Sequence, residues 1–231
     1  MAVTFTIERA ELASTANNTI FTVPTFTPTA GSLLVAVFWG TDTAATFNIA
    51  SINGTGLTWT NTGTSAVRNN GTVFLTGEIW WATTTGAATG TVSITWSEGL
   101  TSCWGWIGEF AGANLTTPMP QIAKDEAGTT DPNVSLGSAP SSGSLSVAAY
   151  CAFADNNQVA EANWTSQMAV DTLTLPTIGF GLWVSTVTDQ TFTAAGTDGN
   201  HVSVIAEIQQ AAAAAGSLVV PRRMAQSLII R

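Results

Sequence analysis

Charge is the scarcest property of this 231-residue chain: charged residues make up 9% of it, against about a quarter in an ordinary soluble domain. Six Lys and Arg stand against fifteen Asp and Glu, a formal charge of −9. Six scattered cations on an acidic body cannot line a groove for DNA or RNA, so no nucleic-acid partner is expected. Histidine occurs once and cysteine twice, and one His with two distant Cys does not provide the cluster of three or four Cys, His or carboxylate ligands that a zinc site needs. No apolar run approaches the roughly 18 residues of a membrane-spanning helix, so no membrane partner is expected either. The sequence holds no Gly-x-Ser-x-Gly elbow, Walker-type phosphate loop or dinucleotide fingerprint. No cofactor is expected.

What the chain does contain is β-forming material. Hydrophobic residues make up 45%, nine of them tryptophan, which excludes disorder. About one residue in six is threonine, set in alternating runs such as Val3 to Ile7 and Thr91 to Trp96. Further strands are expected at 19–23, 32–39, 56–60, 72–83, 103–111, 144–153, 178–188, 190–194 and 201–209. Turn sequences separate them, among them Asn53-Gly54-Thr55-Gly56, Asn69-Asn70-Gly71 and Asp198-Gly199-Asn200. Short, regularly punctuated strands without an amphipathic helix predict an all-β, antiparallel, jelly-roll-like sandwich.

A weak internal repeat organises that sandwich. Gly31-Ser32-Leu33-Leu34-Val35-Ala36 recurs as Gly143-Ser144-Leu145-Ser146-Val147-Ala148, and Trp59-Thr60 as Trp164-Thr165. Gly77, Trp81 and Thr84 match Gly179, Trp183 and Thr186, and Ile107-Gly108-Glu109-Phe110 matches Ile205-Ala206-Glu207-Ile208. The order is kept while the offset shrinks. Residues 1–210 are therefore expected to form one domain of two pseudo-repeated halves, about 19–113 and 143–210, packed as a sandwich of 8 to 10 strands. The Pro- and Gly-rich stretch 114–142 is read as a crossover loop, and 211–231 as a linker and extended C-terminal arm.

The repeat also assigns faces. Trp104, Trp106, Gly108 and Phe110 share one side of a strand, as do Val202, Val204, Ala206 and Ile208, and that side is expected to be core. Glu109 and Glu207 fall on the opposite side and, with Glu78, are expected to face solvent. Two strand carboxylates beside aromatics are also the minimum of a glycosidase, but the repeat makes Glu109 and Glu207 structural equivalents, and no catalytic residue is assigned. His201, at a strand head beside Asp198, lacks a nucleophile elbow. Trp81 is taken as core, which leaves its neighbour Trp80 as a surface or interface aromatic.

Two features bear on partners and compartment. The start, Met-Ala-Val-Thr-Phe-Thr-Ile-Glu-Arg, has no cationic region followed by an apolar one, which predicts cytoplasmic folding. Cys103 and Cys151 are then expected to be buried thiols, with a disulfide between them as the alternative. Residues 1–221 carry three cations and all fifteen acids, a net −12, while 222–231 carry +3. With Leu228, Ile229 and Ile230 beside Arg222, Arg223 and Arg231, this end reads either as an arm that docks on an acidic partner or as a segment folding back on its own acidic body.

The layout Gly31 to Ala36, Leu57-Thr58-Trp59-Thr60, Glu78-Ile79-Trp80-Trp81-Ala82, Val92 to Trp96 and Ile107 to Ala113 resembles a β-sandwich module of tailed-bacteriophage virion proteins and of some bacterial surface proteins. The resemblance covers about residues 19–210. It implies a non-enzymatic structural role, such as a capsid decoration or cement protein bound to the major capsid protein or other virion proteins. It also implies a location in the virion after assembly in the host cytoplasm. Homo-oligomers are expected, trimers suiting the three-fold positions of a shell. The alternative is a carbohydrate- or host-surface-binding module of a tail or surface protein, using Trp80 and the 115–142 loop.

Overall fold

The computed structural model describes residues 2–14, 17–43, 46–85, 88–126, 132–153, 159–160, 162–170, 179–195 and 201–212. All regular structure in them is β. The first half contains β1 (Thr4–Ser14), β2 (Asn18–Phe26), β3 (Leu33–Asp42), β4 (Ile49–Gly54), β5 (Thr60–Asn69), β6 (Phe74–Thr83), β7 (Gly90–Leu100) and β8 (Ser102–Ala111). The second contains β9 (Ile122–Asp125), β10 (Asn133–Ser135), β11 (Leu145–Ala152), β12 (Val159–Ala160), β13 (Trp164–Val170), β14 (Gly179–Ser185), β15 (Thr191–Ala195) and β16 (His201–Ile208).

The two sets of eight have one topology. In the first half the sheets run β1-β8-β3-β6-β5 and β2-β7-β4; in the second they run β9-β16-β11-β14-β13 and β10-β15-β12. Adding eight to each strand number of the first half gives the second. Apart from the outermost β5 and β13, each pair of sheets follows the strand order of a jelly roll. All strand pairings are antiparallel.

Each half is thus a sandwich of its own, where the sequence suggested that the halves share one. The reason lies in β3 and β8, whose residues are buried on both faces over nearly their whole length. One face of their five-stranded sheet packs on the three-stranded sheet of the same half. Leu34, Ala36, Phe38, Trp80 and Ile107 meet Phe21, Val23, Ile94 and Trp96 there. The other face is equally apolar and must be covered as well. The five-stranded sheet of the second half covers it: Val35, Val37, Trp39, Trp104, Trp106 and Phe110 share a central core with Val147, Ala149, Val202, Val204, Ala206 and Ile208. A third core, with Tyr150, Trp183 and Ile205 against Val134 and Phe192, closes the second sandwich. Four layers therefore enclose three cores, and the side of β8 and β16 expected to be core is the central one.

The stretch 115–142 is more than a crossover. It supplies β9 and β10, the counterparts of β1 and β2 and the outer strands of the second half's two sheets. Both are short, at four and three residues, which hides them from a periodicity reading.

Strand register refines the repeat. Leu33 faces Phe110 and Leu145 faces Ile208, as the sequence match requires. Ala36, however, faces Trp80, whereas its counterpart Ala148 faces Trp183. Trp80, not Trp81, is the equivalent of Trp183. A one-residue slip moves every side chain of a strand to the opposite face: Trp81 does lie against the central core, but Trp80, expected at a surface, is the one that occupies the outer-core position of Trp183.

Candidate functional site

An unpaired buried charge costs several kcal/mol, so a carboxylate inside the fold must be held by hydrogen bonds. Glu78, Glu109 and Glu207 are each only 1% exposed, which corrects the expectation that they face solvent. They point from the five-stranded sheets into the sandwich, and each is used locally. Glu109 Oε2 accepts the backbone N–H of Thr29 at 3.2 Å. Glu207 Oε1 accepts that of Ser141 at 2.9 Å, and its Oε2 accepts Gln121 Nε2 at 2.8 Å. Thr29 and Ser141 each lie two residues before a glycine, Gly31 and Gly143, whose φ of 81° closes the turn into β3 or β11. The two acids fasten the same turn in the two halves.

Glu78 belongs to the first half alone. Its Oε1 accepts Ile49 N at 3.0 Å, and its Oε2 accepts both Asn61 Nδ2 and Trp80 Nε1 at 2.9 Å. Burial raises its pKa above the ordinary 4.5, and these three hydrogen bonds oppose the rise. Trp80 is 8% exposed, packed in the first half's outer core with its indole N–H on Glu78. The expected surface aromatic is therefore interior, because the sheet that carries it is covered on both sides. Trp81 is partly buried against the central core.

His201 sits buried at the start of β16, with Nε2 3.3 Å from Oδ2 of Asp125 on the neighbouring β9. Ser203, two residues along β16, faces Asp125 in the register. Its hydroxyl is buried and has no hydrogen-bond partner. A nucleophile needs a hydrogen-bonded base and a route for substrate; Ser203, 0% exposed, has neither. Among the described residues no group of three or more His, Cys, Asp or Glu is placed to hold a metal ion. Cys103 and Cys151 are free thiols in different cores, the first half's outer core and the central core. Burial pushes both thiols far above the usual range, so they carry no thiolate at neutral pH.

The seams between the halves contain what the sequence reading missed. Along one seam β5 meets β9 in a polar clasp: Lys124 Nζ donates to Ser65 O at 2.8 Å and to Glu126 Oε1 at 2.7 Å. Val67 N donates to the same Oε1 at 2.7 Å, and Arg68 Nη1 to Glu126 O at 3.1 Å. Two of the three cations of residues 1–221 thus converge on one segment, a signal that their scarcity could have raised. Along the other seam, β1 and β13 flank an open groove of about 350 Å³. Val3, Phe5, Leu145 and Val184 give it an apolar lining, and Thr4, Thr165, Gln167 and Thr186 a polar one. Phe5 and Leu145 also pack against the central core, so the groove opens directly onto it. The expected arm residues Arg222, Arg223, Leu228, Ile229, Ile230 and Arg231 lie outside the described residues.

The outer faces of both sandwiches present paired hydroxyl groups, two pairs across strands and one, Thr27 with Thr89, just beyond the ends of β2 and β7. Thr22 and Ser93 lie 3.3 Å apart and Thr27 and Thr89 2.6 Å apart in the first half, and Ser135 and Thr191 2.9 Å apart in the second. Comparison with protein families, with curated proteins and with solved structures gives no match.

Proposed function

We propose that the chain is a non-enzymatic structural protein of a bacteriophage virion, a decoration or cement protein that binds the outside of the capsid shell and stabilises it. The observation that carries this reading is the character of the outer sheets. Short, uncharged Thr and Ser side chains, already paired with one another, lose little rotamer freedom when a neighbour covers them. Such a surface suits permanent contact in an assembly.

Three further points support it. The buried glutamates are committed to holding turns and strands together. Two sandwiches fused through a core rich in tryptophan make a stiff block. A segment of charge +3 on a body of −12 offers an anchor for an acidic partner such as the major capsid protein or a second copy. The glycan-binding alternative relied on Trp80 and on a free 115–142 loop. Trp80 is interior, and part of the loop is strand.

Quantitative mass spectrometry of purified particles tests the reading: many copies per particle fit the shell, a handful place the protein in the tail, and none refutes it. Removing residues 222–231 should abolish attachment to particles that lack the protein while leaving the unfolding transition unchanged. Full attachment of the shortened chain would refute the anchor.

A further inference from the structure

The two seams between the halves are counterparts. Since β9 repeats β1 and β13 repeats β5, the β1–β13 seam is the β5–β9 seam with the halves exchanged. The registers align them position by position: Val35 faces Trp81 as Val147 faces Val184, and Thr60 faces Trp81 as Thr165 faces Val184. Val184 therefore stands where the first half carries an indole. Trp81 packs against the central core, as does Met119 just before β9. In the other seam Val184 and Thr165 line the open groove of about 350 Å³. Leu145 lines it too and is only partly buried, whereas its counterpart Leu33 is fully buried. We propose that the groove is a binding site for a small, neutral, planar aromatic molecule, which takes the place there that the Trp81 side chain takes in the other seam.

The lining suits such a ligand. Val3, Phe5, Leu145 and Val184 give an apolar floor, and the Phe5 ring belongs to an aromatic cluster, with Trp106 and Phe110 at centroid distances of 5.7 and 5.3 Å. The hydroxyls of Thr4, Thr165 and Thr186 and the amide of Gln167 offer donors and acceptors to a polar ring edge. No charged side chain is among the described lining residues, which favours a neutral molecule over an ion. The walls are held in place without a ligand. Val3 N donates to Gly143 O at 2.8 Å, tying the start of β1 to the turn before β11, so little ordering remains for the ligand to impose. The site does not depend on the virion reading.

Titration of the full-length, isotope-labelled protein with indole, followed by amide NMR shifts, tests it, with cyclohexanol as the non-planar comparison. Indole should give saturable shifts at Thr4, Phe5, Thr165 and Gln167, with an affinity in roughly the millimolar range that a ligand of this size supports. Val184→Trp supplies the missing indole from the chain itself and should weaken binding by about tenfold or more. Trp81→Val should do the reverse and add a second set of saturable shifts at Thr60 and Met119. The parent titration decides the proposal even if a variant fails to fold. No saturable shift at the groove overturns it, as does a response to cyclohexanol equal to that for indole. Unchanged indole binding by folded Val184→Trp, or no second site in folded Trp81→Val, also overturns it. Groove shifts that move on dilution of the protein alone mark a second copy as the occupant and overturn it equally.

Discussion

Glu109 and Glu207 hold the same turn in two successive copies of one eight-stranded unit. Each lies on the last strand of its half and accepts the backbone N–H two residues before the turn glycine, from Thr29 at 3.2 Å and from Ser141 at 2.9 Å. Replacing Glu109 or Glu207 by Ala removes that hydrogen bond, whose donor lies on an exposed residue and whose acceptor is buried, at a cost of about 0.5–1.5 kcal/mol. Denaturant unfolding of the single variants should show losses of this size. A variant within experimental error of the parent would show that the turn is held by its glycine alone.

Glu78 gives the fold a pH dependence of definite sign. Its folded-state pKa is raised above 4.5, chiefly by burial. The folded state therefore binds this proton more tightly than the unfolded chain does, and the contribution to stability is fully present below about pH 4.5. It is lost as pH rises through the folded pKa. Glu78→Gln removes the titration, so the thermal midpoint of the parent should fall relative to that of the variant as pH rises from 4.5 through the raised folded-state pKa, and the two should run parallel once it is passed. Curves that stay parallel throughout would mean that Glu78 titrates normally.

Gly77 in β6 faces Trp39 in β3, and a Cβ at this position would collide with the Trp39 ring. Gly77→Ala should force the indole out of place in the central core and cost about 1–3 kcal/mol, the usual range for overpacking. Gly63, with φ 77° and open space around it, offers a contrast: Gly63→Ala acts through backbone strain and leaves the near-ultraviolet circular dichroism of the core tryptophans unchanged. Equal near-ultraviolet spectra for the two variants would contradict the packing explanation.

Cys103 and Cys151, fully buried with raised pKa values, should react with a thiol reagent only as fast as the protein opens. Both are expected to be silent toward an aromatic disulfide reagent in buffer, and two thiols per chain should appear in denaturant. Rapid native labelling of either would indicate an open path into its core.

The strands that the sequence hid share a place in the fold. β4, β5, β9, β10, β12 and β13 all lie at sheet edges. An edge strand is covered less completely, so its residues need no strict alternation. β5, Thr-Asn-Thr-Gly-Thr-Ser-Ala-Val-Arg-Asn, has Ala66 as its one fully buried position. The central strands were legible because burial on two faces demands unbroken apolar runs such as Leu33 to Trp39. Chain positions also revealed the duplication, but not its extent, since β9 and β10 have diverged from β1 and β2 in length and residue type. The polar clasp and the groove were illegible for another reason: each joins segments far apart in sequence, and only the packing of the two halves brings Arg68 to Glu126 or Phe5 to Leu145 and Thr165.

The halves follow one another along the chain without interleaving, and this has a consequence for biosynthesis. All eight strands of the first unit have been synthesised once Ala111 has been added, so its outer core can close as soon as they leave the ribosome, while the second unit is still being made. Its second apolar face, carrying Trp39, Trp104 and Trp106, then waits uncovered until β11 and β16 arrive. During that interval the nascent protein displays a sticky sheet, and two such intermediates on neighbouring ribosomes can pair with each other in place of their own second halves.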